Sequence, residues 1–206
     1  MIVVIIPLFA LALLLVSCKS TNTAQVQAPS MKSETETYGY DGQLLTGKHT
    51  VTLKTSKGNI TVELDADIAP KTVTNFVVLA KAGYFDSLTF HRVIPGFMIQ
   101  GGDPNGNGTG GRSIFGPEFQ DEIDASSSLY AGGYAKGTIA MANHGPNTNG
   151  SQFFIMEADY PLPPNYTIFG HVTSGQDVVT AIANVPRNPQ DNMPLEPVTF
   201  TVEVKN

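Results

Sequence analysis

Two runs, 49-HTVTLKT-55 and 59-NITVEL-64, alternate apolar with polar residues on either side of the turn-forming 56-SKG-58. A period of two sends successive side chains to opposite faces of a strand, so the pair reads as a β-hairpin. Beyond it come more short strand-like runs: 88-LTFHRVI-94, 97-FMIQ-100, 137-GTIAMA-142, 152-QFFIME-157, 167-TIFGHV-172 and 198-VTFTVEV-204. Two segments carry the helical period instead. In 70-PKTVTNFVVLAKAG-83, Pro70 suits a first helical turn, Val73, Phe76, Val77 and Ala80 recur at helical spacing, and Gly83 is a stop. The second is 175-GQDVVTAIAN-184. Many short strands with few helices imply a mainly β fold, a closed antiparallel barrel or a sandwich.

The chain of 206 residues suits one domain plus an extra segment, and its 41% hydrophobic content is enough for a core. A formal net charge of -6 with no basic stripe argues against nucleic acid as a partner, because phosphate tracking rests on clustered Lys and Arg. One cysteine, Cys18, cannot build a disulfide framework within a chain. His49, His91, His144 and His171 have no ligand spacing, so no metal site is expected.

The extra segment is N-terminal. Residues 1-MIVVIIPLFALALLLVS-17 carry no charge, run slightly short of a membrane span, and give way at Cys18 to polar sequence, which marks a targeting segment. The ending 15-LVSC-18 resembles a bacterial lipobox, whose cysteine is lipidated and becomes the new N-terminus, although the usual Lys or Arg before the apolar run is missing. Residues 19–43 are polar and lack periodic apolar positions, as a linker does. The expected organisation is a signal peptide at 1–17, a flexible tether at 18–45 and a domain at 46–206. Lipid on Cys18 would anchor the protein to a membrane outside the cytoplasm, in the periplasm or on the surface of a bacterium.

Within the domain, 106-GNGTGG-111 satisfies the dinucleotide fingerprint, but Gly116 and Pro117 break the helix that should follow, so it reads as an irregular loop needing positive φ. Ser, His and acidic residues show no hydrolase signature. The stretch 90-FHRVIPGFMIQGGD-103 sets Arg92 among apolar residues with no acid before its last position. Together with 107-NGTGGRSIFG-116 and 141-MANHGPNTNGSQFF-154, it resembles the signature blocks of cyclophilins, the peptidyl-prolyl cis-trans isomerases, over a region from about Thr46 to Asn206.

That resemblance implies a closed eight-stranded antiparallel barrel capped by two α-helices. It implies a catalytic set of Arg92, Phe97 and Gln100, and a substrate groove formed with Met98, Gly108, Ala142, Asn143, Gln152, Phe154 and Leu162. Two positions of this chain differ: Tyr166 stands where many members have histidine. His144 stands where the family is commonly small, which changes the preference for residues preceding proline. Proline-containing polypeptides are the expected partners, with no cofactor and a monomeric state. The rival reading is a proline-peptide-binding module or chaperone that needs no catalysis. Retention of Arg92 favours the enzyme, since apolar walls and amides would suffice for binding.

Overall fold

The structure, a computed structural model, describes residues 38–205. The expected signal peptide, Cys18 and the tether as far as residue 37 lie outside the described residues.

The hairpin forms from β1 (Lys48–Thr55) and β2 (Gly58–Asp65), with Thr55 paired to Gly58. Its turn is closed by the Thr55 hydroxyl, which donates to the Gly58 carbonyl at 2.7 Å and accepts from the Lys57 N–H at 3.0 Å. The chain continues through α1 (Pro70–Lys81), β3 (Leu88–Thr89), β4 (Arg92–Ile94), β5 (Met98–Gly101), the single turn α2 (Ser128–Ala131), β6 (Thr138–Met141), β7 (Phe153–Met156), β8 (Ile168–Ser174), α3 (Gln176–Ala183) and β9 (Thr199–Val204). The strands make one antiparallel sheet in the order β3-β9-β1-β2-β8-β6-β7-β5-β4.

The expected closed eight-stranded barrel is therefore corrected to a curled sheet of nine strands. The additional strand arises because the run 88–94 divides at Phe90 and His91. The Phe90 N–H donates to Val198 O beside β9, whereas the Val93 N–H donates to Asn192 O and β4 pairs with β5. One run thus serves both ends of the sheet, and two residues of covalent chain, rather than a hydrogen-bonded ladder, join them. The buried Phe90 ring pins this corner, lying 4.6 Å from Phe200 and 6.4 Å edge-on to Phe153. The two expected helices are α1 and α3, and α2 joins them as a short third.

The interior is filled by inward residues of the strands together with the buried faces of α1 (Val73, Phe76, Val77, Ala80) and α3 (Val179, Ile182, Ala183). Helix α1 begins without a side-chain cap on Ala69. Its orphan donors are met instead from far along the chain: the Glu122 carboxylate accepts from the N–H groups of Lys71 (2.9 Å) and Thr72 (2.8 Å) and from the Thr72 hydroxyl (2.8 Å). It ends in a Schellman motif, with Gly83 N–H on Ala80 O, Tyr84 N–H on Leu79 O, and Gly83 at φ +72°.

The described end of the expected tether, residues 38–45, packs on the domain. Tyr38, Tyr40 and Leu45 flank the interior cluster, and the Leu45 N–H donates to the Thr74 hydroxyl at 2.8 Å. Packing against the domain is thus already present, among the described residues, at Tyr38, within the span read as tether. Among the described residues, no helix is long and apolar enough to cross a membrane.

Candidate active site

Strand alternation builds the site on the outer face of the sheet. Ile99 of β5 joins the interior cluster, while its neighbour Met98 joins a second, outer cluster with Tyr134, Ala140, Phe154, Met156 and Ile168. The register then aligns one row across four strands: Arg92 opposite Gln100, Gln100 opposite Phe154, and Phe154 opposite Ala140. Residues directly opposite in such ladders are in side-chain contact range, so the row places a guanidinium, an amide and a phenyl ring side by side.

Above this row is a cavity of about 160 Å³. Phe97, Met98, Phe154 and Leu162 supply its apolar lining; Arg92, Gln100, Asn143 and Tyr166 supply polar groups, with Ala142 between. Among the described residues, no carboxylate or histidine lines it. Arg92 Nη1 donates to Gln100 Oε1 at 3.4 Å, a long contact, and its Cζ lies 6.0 Å from the centre of the Phe97 ring. Gln100 Nε2 donates in turn to Gln152 Oε1 (3.0 Å), and Gln152 Nε2 to the carbonyls of Gly110 (2.8 Å) and Gly108 (3.1 Å). Burial pushes the Arg92 guanidinium below its ordinary value, with Tyr166 opposing the shift.

A second cavity, about 190 Å³, shares Gln100, Ala142 and Asn143 with the first. Gln152 and His144 line it, joined by Thr109, Gly110, Gly111, Pro117, Glu118 and Thr148. The structure thus brings the predicted site residues together in two adjoining cavities, with Gly108 outside the lining but bonded through its carbonyl to Gln152.

The loop 106–111 carries positive φ at Gly106, Gly108 and Gly111, and it wraps an anion belonging to the chain itself. Asp103, buried, accepts the N–H groups of Asn105 (2.8 Å), Asn107 (3.0 Å) and Gly108 (2.6 Å). A Cβ on Gly110 would lie 2.3 Å from the Asp103 carboxylate, so the ring of amides has no room for a phosphate. Burial pushes this carboxyl up, but the three N–H bonds outweigh burial and hold it below its ordinary 3.8.

Sequence reasoning missed Tyr130 and Tyr134, which stand in a stretch with no periodic signal. Both hydroxyls donate to the Tyr166 carbonyl, at 2.9 and 2.8 Å, and accept from the N–H groups of Ile168 and Tyr166. Burial pushes the Tyr130 phenol up to about 12, so it stays a neutral donor and fixes the strand end that carries Tyr166.

His91 lies beneath Gly108, 6% exposed. Burial pushes its imidazole below the ordinary 6.5, with Asp103 opposing and nearby Arg92 adding to the shift. The unfolded chain therefore binds a proton that the folded one refuses, so the stability tied to His91 is complete above about pH 6.5 and is lost as pH falls toward the depressed value. In urea titrations, His91→Gln should flatten the loss of stability between roughly pH 7 and 5. The Asp103 contribution, present above 3.8 and lost only at lower pH, should remain.

Comparison with known proteins decides what this groove belongs to. The family of cyclophilin type peptidyl-prolyl cis-trans isomerases matches residues 50–204. The chain belongs to the cyclophilins. It is 51% identical over 149 residues to a peptidyl-prolyl cis-trans isomerase of Schizosaccharomyces pombe, covering 72% of this chain and 93% of that protein. It is 50% identical over 149 residues to a peptidyl-prolyl cis-trans isomerase-like 1 protein of Emericella nidulans, covering 72% and 89%. The crystal structure of a cyclophilin type isomerase of Cryptosporidium parvum superposes with a TM-score of 0.72 at 36% identity, covering 77% of this chain and 98% of that one. A second structure of that protein, obtained in the presence of the dipeptide Ala-Pro, has a TM-score of 0.70 at 36% identity and covers 76% and 99%. The activity that goes with this family is peptidyl-prolyl cis-trans isomerisation.

Proposed function

We propose that this cyclophilin turns X–Pro bonds by aiming the Arg92 guanidinium at the proline nitrogen while the apolar cavity holds the proline ring. Rotation about the amide meets a barrier of ~18–20 kcal/mol and takes tens to hundreds of seconds uncatalysed. Shortening ~100 s to milliseconds is a factor of about 10⁵, or roughly 7 kcal/mol. No bond is made or broken, so no acid or base is needed. In the twisted transition state, conjugation is lost and the nitrogen regains a lone pair, so a donor aimed at it binds that state better than either planar isomer. The observation that carries the reading is an arginine set beside Phe97, Met98, Phe154 and Leu162 in a cavity that, among the described residues, no carboxylate or histidine lines.

Phe97, Met98, Phe154 and Leu162 form the proline pocket. Gln100 and Asn143 hold the peptide backbone, and the second cavity, with His144 and Glu118, receives flanking residues and sets preference among them. Exchange NMR of a blocked proline tetrapeptide tests the whole reading: the protein should produce cis–trans exchange peaks, and chemical-shift changes without exchange would overturn it.

The protein acts outside the cytoplasm, on proline-containing polypeptides folding there, tethered through Cys18. Support comes from the uncharged run 1–17, the cysteine that closes it and the polar sequence behind it. Cys18→Ala should abolish lipid labelling and move the protein out of the membrane pellet or leave it unprocessed. Unchanged fractionation would remove the anchor. A single acyl chain gives only marginal binding, so more than one is expected on Cys18.

A further inference from the structure

The outer wall of the second cavity is an irregular loop held mainly at its ends. At one end, the Ile114 N–H is fixed by Asn75; at the other, Phe119 bridges to Asn149. Pro117 and Glu118, which line the cavity, fall between. Within this span the side chain of Phe115 reaches sideways, 5.7 Å from the Phe119 ring, and the edge-to-face partner on it is Tyr40, at 5.5 Å and 82°. Two residues earlier, Tyr38 makes the same kind of contact with Tyr84 at 5.6 Å and 89°. The Tyr84 hydroxyl accepts from Ser151 Oγ at 3.2 Å, and Ser151 lines the same cavity.

We infer that Tyr38–Leu45 is a brace for the second cavity, with Tyr40, and secondarily Tyr38, acting as positioning residues for the peptide segment flanking the proline. The inference rests on the proposed role of that cavity in holding flanking residues. The segment is shaped to stay in place. Gly39 and Gly42 take φ +79° and +86°, and a Cβ added at either would meet nothing within 4 Å, so these glycines serve the turns and not a close contact. Gln43 N–H closes one turn on the Asp41 carboxylate at 2.9 Å, and Leu45 N–H anchors the far end on Thr74 of α1. The brace precedes residues 50–204, the span that matches the family.

The test compares two substrates on the full-length protein: a blocked tetrapeptide that fills the proline pocket, and a peptide of about ten residues extended on both sides of proline. Tyr40→Ala should raise KM for the long peptide about threefold to tenfold, the worth of one edge-to-face pair, with kcat and the tetrapeptide kinetics unchanged. Tyr40→Phe should keep the wild-type values, because the contact needs the ring and not the hydroxyl. An equal loss on both peptides, or none on either, overturns the brace. Glu118→Ala, read alongside, separates the two layers. If it alters the long-peptide KM while Tyr40→Ala does not, the brace fails and the cavity's role stands; if neither variant discriminates between the peptides, both fail.

Discussion

Arg92→Ala should lower kcat/KM for a proline tetrapeptide by at least ~10²-fold, about 2.7 kcal/mol, while the affinity for the ground-state peptide changes far less. The expectation follows from where Arg92 sits. Among the described residues its side-chain hydrogen bond is to Gln100, at a long 3.4 Å, which leaves further N–H groups of a five-donor fork to face a substrate. Partial burial, which also pushes its pKa down, lowers the local dielectric and so strengthens each contact. Arg92→Lys should recover little, since a compact ammonium lacks the planar fork and sits differently over Phe97. Circular dichroism and Tm should stay near wild type, because the residue is only partly buried on the outer face of β4. A folded Ala variant with near-full activity would refute the mechanism.

The energetics of the groove assign different tasks to the remaining residues. On the proposed mechanism, Phe97, Met98, Phe154 and Leu162 would hold planar and twisted proline alike, so their loss should fall mainly on KM. The relay from Gln100 through Gln152 to the Gly108 and Gly110 carbonyls orients the two side-chain amides and links the linings of the two cavities. The buried Asp103 gives that relay a firm backing by gathering three backbone N–H groups of the loop that presents those carbonyls.

Local signals in the sequence survive into the structure. The alternation at 49–55 and 59–64 becomes β1 and β2, and Pro70 and Gly83 bound α1 because turn and cap chemistry acts over a few residues. Where contact partners are distant, the pattern is silent. Nothing in 88-LTFHRVI-94 marks a corner, since every residue suits a strand and the division is imposed by Val198 and Asn192. The Arg92, Gln100 and Phe154 row comes from three strands whose register no spacing reveals, so the cyclophilin resemblance located it and periodicity did not. Glu118 and Thr148 carried no signal as a second cavity wall. Tyr38 and Tyr40 looked like part of a polar linker because their partners, Tyr84 and Phe115, are some 46 and 75 positions away.

Asn75 should prove the most costly polar residue of α1 to replace. It is 1% exposed, and both ends of its amide are committed: Oδ1 accepts the Ile114 N–H at 2.9 Å, and Nδ2 donates to the Gly150 carbonyl at 2.9 Å. Leucine keeps the branched four-atom skeleton but has no polar atoms, so besides crowding the site it would strand the buried Ile114 N–H and the part-buried Gly150 C=O, at about 1–3 kcal/mol for a buried group. Asn75→Leu should therefore lose about 3 kcal/mol, a fall in Tm of roughly 6–12 °C for a domain of this size. Ile114 and Gly150 adjoin the two loops that wall the second cavity, so KM for an extended peptide should rise as well, with the tetrapeptide less affected. Asn75→Asp sharpens the test. It keeps the acceptor for Ile114 but turns the donor toward Gly150 into a carboxylate facing a carbonyl, so it too should destabilise. A stability within ~0.5 kcal/mol of wild type for both variants would mean the loops hold each other without α1.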